Sequence, residues 1–178
     1  MSRLTALDPA QATGTAKNLL DTVQRSLGMT PNLMHTLAQA PAALEGYLSF
    51  NGALAKGTLS AQLREQLAIA IAEANRCEYC LSAHTLLGKM AKLDSPELAA
   101  ARYGESADPK TQAALAFALA VLAQHGMVAD SDLDAVLAAG YTQGEVAEIV
   151  AHIGLNVLTN YFNNVAQTEV DFPRVELR

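Results

Sequence analysis

Four times in this chain a side chain that caps helices stands directly before a proline: Asp8-Pro9, Thr30-Pro31, Ser95-Pro96 and Asp108-Pro109. A capping oxygen accepts from the orphan backbone N–H groups of a first helical turn. Proline at the first helical position costs nothing there, because its missing N–H had no partner to lose. Ser60 and Ser131 read as further caps, and Thr142 with Glu145 fits a capping box. The stops are as legible: Gly28, Gly57, Gly104, Gly126 and Gly140 stand where a helix end takes a left-handed residue. This punctuation predicts about nine helices, near 9–27, 31–39, 41–55, 60–74, 76–91, 96–103, 109–125, 131–139 and 142–168, the last open to a break near Thr159-Asn160.

Composition points the same way. Of 178 residues, 34 are Ala and 26 Leu, against only 14 Val and Ile together, and no run alternates convincingly with period two. The expected fold class is all-α. At this length the chain reads as a single domain that buries a sizeable core without help from a metal or a disulfide. Leu63 to Glu73 is apolar on both helical faces, so that helix is expected to pack on more than one side.

Charge excludes some partners. Twelve basic against eighteen acidic residues give a net charge of −6, and no run of Lys or Arg occurs, which disfavours nucleic acid and anionic membranes. The longest apolar run, Ala113 to Ala123, is too short to span a bilayer, and the N-terminal stretch has no apolar signal core. A cytoplasmic protein is expected.

The two cysteines, Cys77 and Cys80, lie three residues apart, a spacing that in a reducing compartment points to redox chemistry or metal binding rather than to a disulfide scaffold. They sit in Cys77-Glu78-Tyr79-Cys80-Leu81-Ser82-Ala83-His84, on a helix that Asn75 is expected to cap. Helical spacing puts Cys77, Cys80 and His84 in one stripe. A thiol attacks as its thiolate, and an imidazole one turn away takes the proton. A carboxylate can then orient that imidazole. Glu65 and Glu73 both qualify by position, and spacing alone does not choose between them.

The pattern Glu-x11-Cys-x2-Cys-x3-His, met by Glu65, Cys77, Cys80 and His84, resembles the alkyl hydroperoxidase D-like branch of the carboxymuconolactone decarboxylase superfamily. Gly28 to Leu33, Leu37 to Pro41 and Leu155 to Asn163 resemble that branch too. The resemblance implies an all-helical fold assembled as a homo-trimer or homo-hexamer, with N-terminal helices over about 9–57 and a redox core over about 60–168. It implies a thiol-dependent peroxidase of antioxidant defence that takes a hydroperoxide and is recycled by a dithiol reductant, protein or small thiol, with no cofactor and no metal. Cys80 would be the peroxidatic cysteine, Cys77 the resolving one, His84 the base and Glu65 the far end of a proton relay. One position departs from the pattern. Well-studied members carry a second histidine where this chain has Tyr79, a poor base at neutral pH.

Other readings stand beside this one. The thiols could be inert core residues, or Cys77, Cys80, His84 and Glu65 could hold zinc. The departure at Tyr79 also allows a redox-responsive oligomer or disulfide carrier with little peroxidase activity. Tyr79 reads as packing first and as a site neighbour second. His152, in an apolar helix, reads as an interior histidine or as a polar neighbour of the thiols. Asn156, Asn160, Asn163 and Asn164 are assigned to caps or subunit contacts.

Overall fold

In the computed structural model, which describes residues 2–178, the described residues form nine helices and no strand. They are α1 (Gly14–Leu27), α2 (Asn32–Leu37), α3 (Pro41–Leu54), α4 (Ala61–Ala74), α5 (Glu78–Met90), α6 (Ser95–Ala101), α7 (Pro109–Ala123), α8 (Asp130–Ala138) and α9 (Gln143–Ala166). The all-helical architecture is the one the punctuation predicts. None of these helices is long and apolar enough to cross a membrane.

Helix α4 organises the rest because it is apolar on both faces. Ile69 and Ala72 join a cluster with Leu20 and Val23 of α1, Leu33 and Leu37 of α2, Leu44 of α3 and Leu81 of α5. Leu67, Ala70 and Ile71 join a second cluster with Leu115 and Ala118 of α7, Val136 of α8, and Ile149 and Ile153 of α9. Leu67, Ile69 and Ile71 have no exposed surface. Burying each contributes about 1.5–3 kcal/mol, so α4 ties two half-cores into one structure. Gly88 of α5 is buried, and a Cβ there would meet Leu98 Cδ2 of α6 at 2.6 Å; its missing side chain lets the two helices approach.

Several helix ends differ from the sequence expectation. Asp8-Pro9 opens a single turn, in which Asp8 Oδ1 accepts from Ala10 N–H at 2.9 Å. The turn cannot run on into α1, because Thr13 is extended and Gly14 is left-handed at φ 56°. Asp94, not Ser95, caps α6, since Glu97 three residues on completes a reciprocal box with both bonds at 2.8 Å. Ala129 rather than Ser131 precedes α8, where Asp132 accepts the Ala129 N–H. Helix α9 runs unbroken through Thr159-Asn160: the Thr159 hydroxyl bonds back to Asn156 O at 3.1 Å, within the helix.

At the start of α9, Thr142 Oγ1 accepts from Glu145 N–H at 3.1 Å, and Glu145 Oε2 accepts from Thr142 N–H at 2.8 Å. Thr142→Ala leaves the Glu145 N–H to water, and an unfolding free energy lower by about 1 kcal/mol is expected in urea titrations.

Beyond α9 the chain runs without regular structure across the outside of α5. Val170, Phe172, Val175 and Leu177 pack on the first cluster. Arg174 forks onto the Glu78 carboxylate at 2.6 and 2.8 Å, and Val175 N–H donates to the Ser82 hydroxyl at 3.0 Å. The segment ends at Glu73, the last acidic residue of α4, which accepts from Arg178 N–H at 2.9 Å.

Candidate active site

The thiols meet because α4 and α5 are joined by a sharp reversal. Asn75 closes α4 instead of capping α5, and Arg76 takes a left-handed conformation, φ 53°. Cys77 is then extended and itself occupies the N-cap of α5, its Sγ accepting from Cys80 N–H at 3.3 Å. A sulfur thus takes the place of the usual capping oxygen, and the cap holds Cys77 Sγ 2.7 Å from Cys80 Sγ. Both cysteines are reduced and buried. Joining them requires no movement of the helix.

One helical turn on, His84 Nδ1 lies 2.8 Å from Glu65 Oε2. Both side chains are partly exposed, at 25% and 20%, so solvent meets the site from their side. The structure therefore brings together all four residues of the spacing pattern, and it settles which carboxylate faces the imidazole. Glu73 is turned the other way, onto Arg102 Nε at 2.7 Å. Among the described residues no group of three or more His, Cys, Asp or Glu side chains is arranged to hold a metal ion.

The two sulfurs differ electrostatically. Burial opposes ionisation of Cys80, but the Cys77 thiol donates to it, His84 faces it with positive charge, and the amides of Asn163 and Asn160 add to the effect; together they bring Cys80 down to about 7. The Cys77 thiol is pushed well up, first because its proton is held by Cys80 and then by burial. Burial also opposes charge on His84, yet the Glu65 carboxylate overrides it and raises the imidazole above its ordinary value. The favoured state is a Cys80 thiolate facing an imidazolium, with Cys77 as the neutral thiol beside it. Of the two sulfurs, Cys80 is the one whose surroundings favour the thiolate.

Alkylation of Cys80 by iodoacetamide should reach half its maximal rate near pH 7, rising as the thiolate forms. His84→Asn removes the facing positive charge and should move that midpoint upward by about 1 pH unit. Mass mapping of the alkylated cysteine against pH checks both.

Tyr79 points away from the thiols. Its hydroxyl accepts from Leu33 N–H of α2 at 3.1 Å, and its ring meets Phe172 edge-on with centroids 5.5 Å apart. It is a packing residue that anchors α2 and the C-terminal segment. His152 is 95% buried on α9, and burial first, then the positive charge of Arg64, lowers its pKa so that it stays neutral. Glu65 and His84 both act on it electrostatically, but it bonds to neither.

Three residues of the site were not legible beforehand. Asn163 Nδ2 donates to Cys80 Sγ at 3.3 Å. Asn160, fully buried one turn earlier on α9, accepts from Asn75 Nδ2 at 3.0 Å. Tyr47 of α3 is pushed up to about 12, by burial first and then by the negative charges of Cys80 and Glu65. The run of amides in α9 was visible, but its spacing fits subunit contacts equally well. Nothing in the sequence ties Tyr47 to the thiols. Of the other amides, Asn156 Nδ2 bonds His152 O at 2.8 Å within α9, and Asn164 Nδ2 bonds Asn75 O at 2.9 Å.

Residues 41–120, a stretch holding all four of Glu65, Cys77, Cys80 and His84, match the carboxymuconolactone decarboxylase family. The fold is also that of a peroxidase-related protein with an alkylhydroperoxidase core from Ralstonia eutropha JMP134: TM-score 0.85, 26% identity, over 96% of this chain and 92% of that one. Residues 41–120 thus carry the pattern of the carboxymuconolactone decarboxylase family, and the chain as a whole takes the fold of the alkylhydroperoxidase-core structure. Two further structures share its fold. A peroxidase-related protein from Silicibacter sp. TM1040 is 20% identical, with TM-score 0.79, over 94% of this chain and 92% of that one. A variant of the debrominase Bmp8 in complex with 2,3,4-tribromopyrrole is 19% identical, with TM-score 0.81, over 96% of this chain and 92% of that one. None of the curated protein sequences matches the chain. Two of these neighbours are named peroxidase-related and one a debrominase, so the fold itself does not single out one reaction.

Proposed function

We propose that this protein is a thiol-dependent peroxidase in which Cys80 attacks a hydroperoxide. The observation that carries the reading is the Cys80 sulfur 2.7 Å from the Cys77 sulfur, on the same helix as a histidine held 2.8 Å from Glu65. The thiolate displaces the hydroperoxide at its terminal oxygen. The O–O bond breaks, an S–O bond forms, sulfur is oxidised by two electrons, and the leaving alkoxide takes a proton from the His84 imidazolium. Glu65 keeps that imidazolium charged and oriented beforehand. Cys77 then attacks the sulfenic acid, a disulfide forms and water leaves. A dithiol reductant, protein or small molecule, restores both thiols by exchange.

Thiols are counted in reduced protein before and after one equivalent of an organic hydroperoxide, with intact mass recorded alongside. Loss of both thiols and a two-dalton decrease supports the cycle. Two unreacted thiols overturn it. Disulfide formation with exogenous disulfides but not with peroxide would instead favour a disulfide carrier, the reading for which the absence of a second imidazole at Tyr79 speaks.

Self-assembly, as a homo-trimer or homo-hexamer, is part of the proposal. Phe50, Leu87, Met90, Leu158, Tyr161 and Val165 are exposed apolar side chains on α3, α5 and α9, which a subunit contact would cover. Sedimentation velocity reads the assembly directly.

A further inference from the structure

Two buried polar atoms beside Cys80 have no partner at hydrogen-bond distance: Asn163 Oδ1, and Asn160 Nδ2, whose amide lies near enough to the sulfur to favour its thiolate. Both side chains are more than nine-tenths buried, at 0% and 3% exposure, and both lie on one face of α9, three residues apart. Their orientations are fixed by their other atoms. Asn160 Oδ1 is taken by Asn75 Nδ2, which turns its NH2 group free of that contact. Asn163 Nδ2 is taken by Cys80 Sγ, which leaves its carbonyl oxygen unpaired. An unpaired buried donor next to an unpaired buried acceptor is costly in a protein interior unless something answers both. The group that answers both is a hydroxyl: its oxygen accepts one hydrogen bond and its hydrogen donates another.

We infer that Asn160 and Asn163 form a hydroxyl-sized subsite at the Cys80 sulfur, which binds the terminal O–H of a hydroperoxide and keeps hold of that same O–H once it has become the sulfenic acid. The inference rests on the peroxidase reading and deepens it by naming the feature of the substrate that the site recognises. In the bound peroxide, Asn160 Nδ2 donates to the terminal oxygen and Asn163 Oδ1 accepts its proton, while Asn163 Nδ2 stays on the sulfur. The terminal oxygen is thereby presented to the thiolate. After S–O bond formation the same two atoms hold the Cys80 S–O–H group, and the pair orients it for Cys77. A carbon–halogen bond offers neither the donor nor the acceptor, so the subsite selects a hydroperoxide over a halogenated substrate.

The test separates peroxide reactivity from thiolate reactivity. Stopped-flow oxidation by hydrogen peroxide or cumene hydroperoxide is compared with alkylation by iodoacetamide at a pH where Cys80 is ionised. Asn160→Leu should slow oxidation about tenfold more than it slows alkylation, both read at a pH high enough to ionise Cys80 in every variant, the effect of one lost hydrogen bond in the reacting complex. Because Asn160 is fully buried, a second variant leaves it in place. Asn75→Asp is partly exposed and can only accept, so it turns the Asn160 amide over and points the carbonyl at the sulfur; the same selective loss is expected. Equal loss of both reactions in folded variants, or loss of neither, overturns the subsite. If the wild type itself alkylates but does not react with either peroxide, the peroxidase reading fails instead, and the two failures are told apart.

Discussion

Cys80→Ser should abolish peroxide-dependent loss of thiols, with the rate falling by at least about a thousandfold to the background of an ordinary thiol. Serine keeps the size and the helix position but has no thiolate to attack an O–O bond. The remaining Cys77 does not substitute. It is fully buried at the N-cap of α5, and that burial still opposes its ionisation when the Cys80 sulfur is gone. Cys77→Ser gives a different result from the same cluster. A serine hydroxyl at that position can still donate to Cys80 in place of the thiol, and His84 and Asn163 continue to favour its thiolate. One equivalent of peroxide should be consumed, and the protein should stop at a sulfenic acid, sixteen daltons heavier and trappable by dimedone, because no partner thiol is present to condense with it. Turnover by Cys80→Ser equal to wild type, or no oxidation of Cys80 in Cys77→Ser, would remove the assignment of roles.

The contrast between the two cysteines shows what the sequence carried and what it did not. Spacing placed Cys77, Cys80 and His84 on one side of one helix, because three- and four-residue steps in a helix leave little freedom. The boundary was less certain. Asn75 looked like the cap, since Asn is a good one, but the left-handed Arg76 turns the chain one step later and gives the cap to Cys77. That shift matters chemically, because it is the cap that sets Cys77 Sγ against the Cys80 N–H and against the second sulfur. The long-range partners were out of reach for a different reason. Asn160 and Asn163 lie about eighty positions away, and no local rule says which face of α9 meets α5. Only the closing of two apolar clusters on α4 fixes it. Glu65 and Glu73 show the same limit. Both are acids on α4, and the decision between them comes from Arg102 and from a C-terminal segment with no helical periodicity to announce its course.

That decision makes Glu73 the residue whose loss should cost the fold most among the polar ones. Its carboxylate is almost fully buried and receives Arg102 Nε at 2.7 Å and Arg178 N–H at 2.9 Å, with the Arg178 guanidinium at 3.5 Å. Arg102 also donates to Glu176 O at 2.7 Å, and the Arg178 guanidinium stacks 3.9 Å from the Tyr103 ring. One buried charge therefore fastens the end of the chain to α4 and α6. Glu73→Gln keeps the shape but leaves two arginines facing a neutral amide, and a loss of about 2 kcal/mol in unfolding free energy is expected at pH 7. Arg102 and Arg178 are partly exposed, so solvent relieves some of the cost and holds it below that of a fully enclosed pair. The pH dependence carries a sign of its own. Burial raises the Glu73 pKa, but the Arg178 N–H and the two guanidiniums more than offset it and hold the carboxyl below its ordinary value in the folded protein. A carboxylate so depressed binds fewer protons folded than unfolded, so its contribution is complete above the unfolded pKa, about 4.3, and disappears as pH falls through the lower folded value. The stability gap between wild type and Glu73→Gln should thus be constant from pH 8 to about 5 and shrink below about 4. Urea unfolding across that range, with an Arg102→Gln cross to isolate the pair, reads it; a gap that persists unchanged in acid would mean that Glu73 acts through packing and not through its charge.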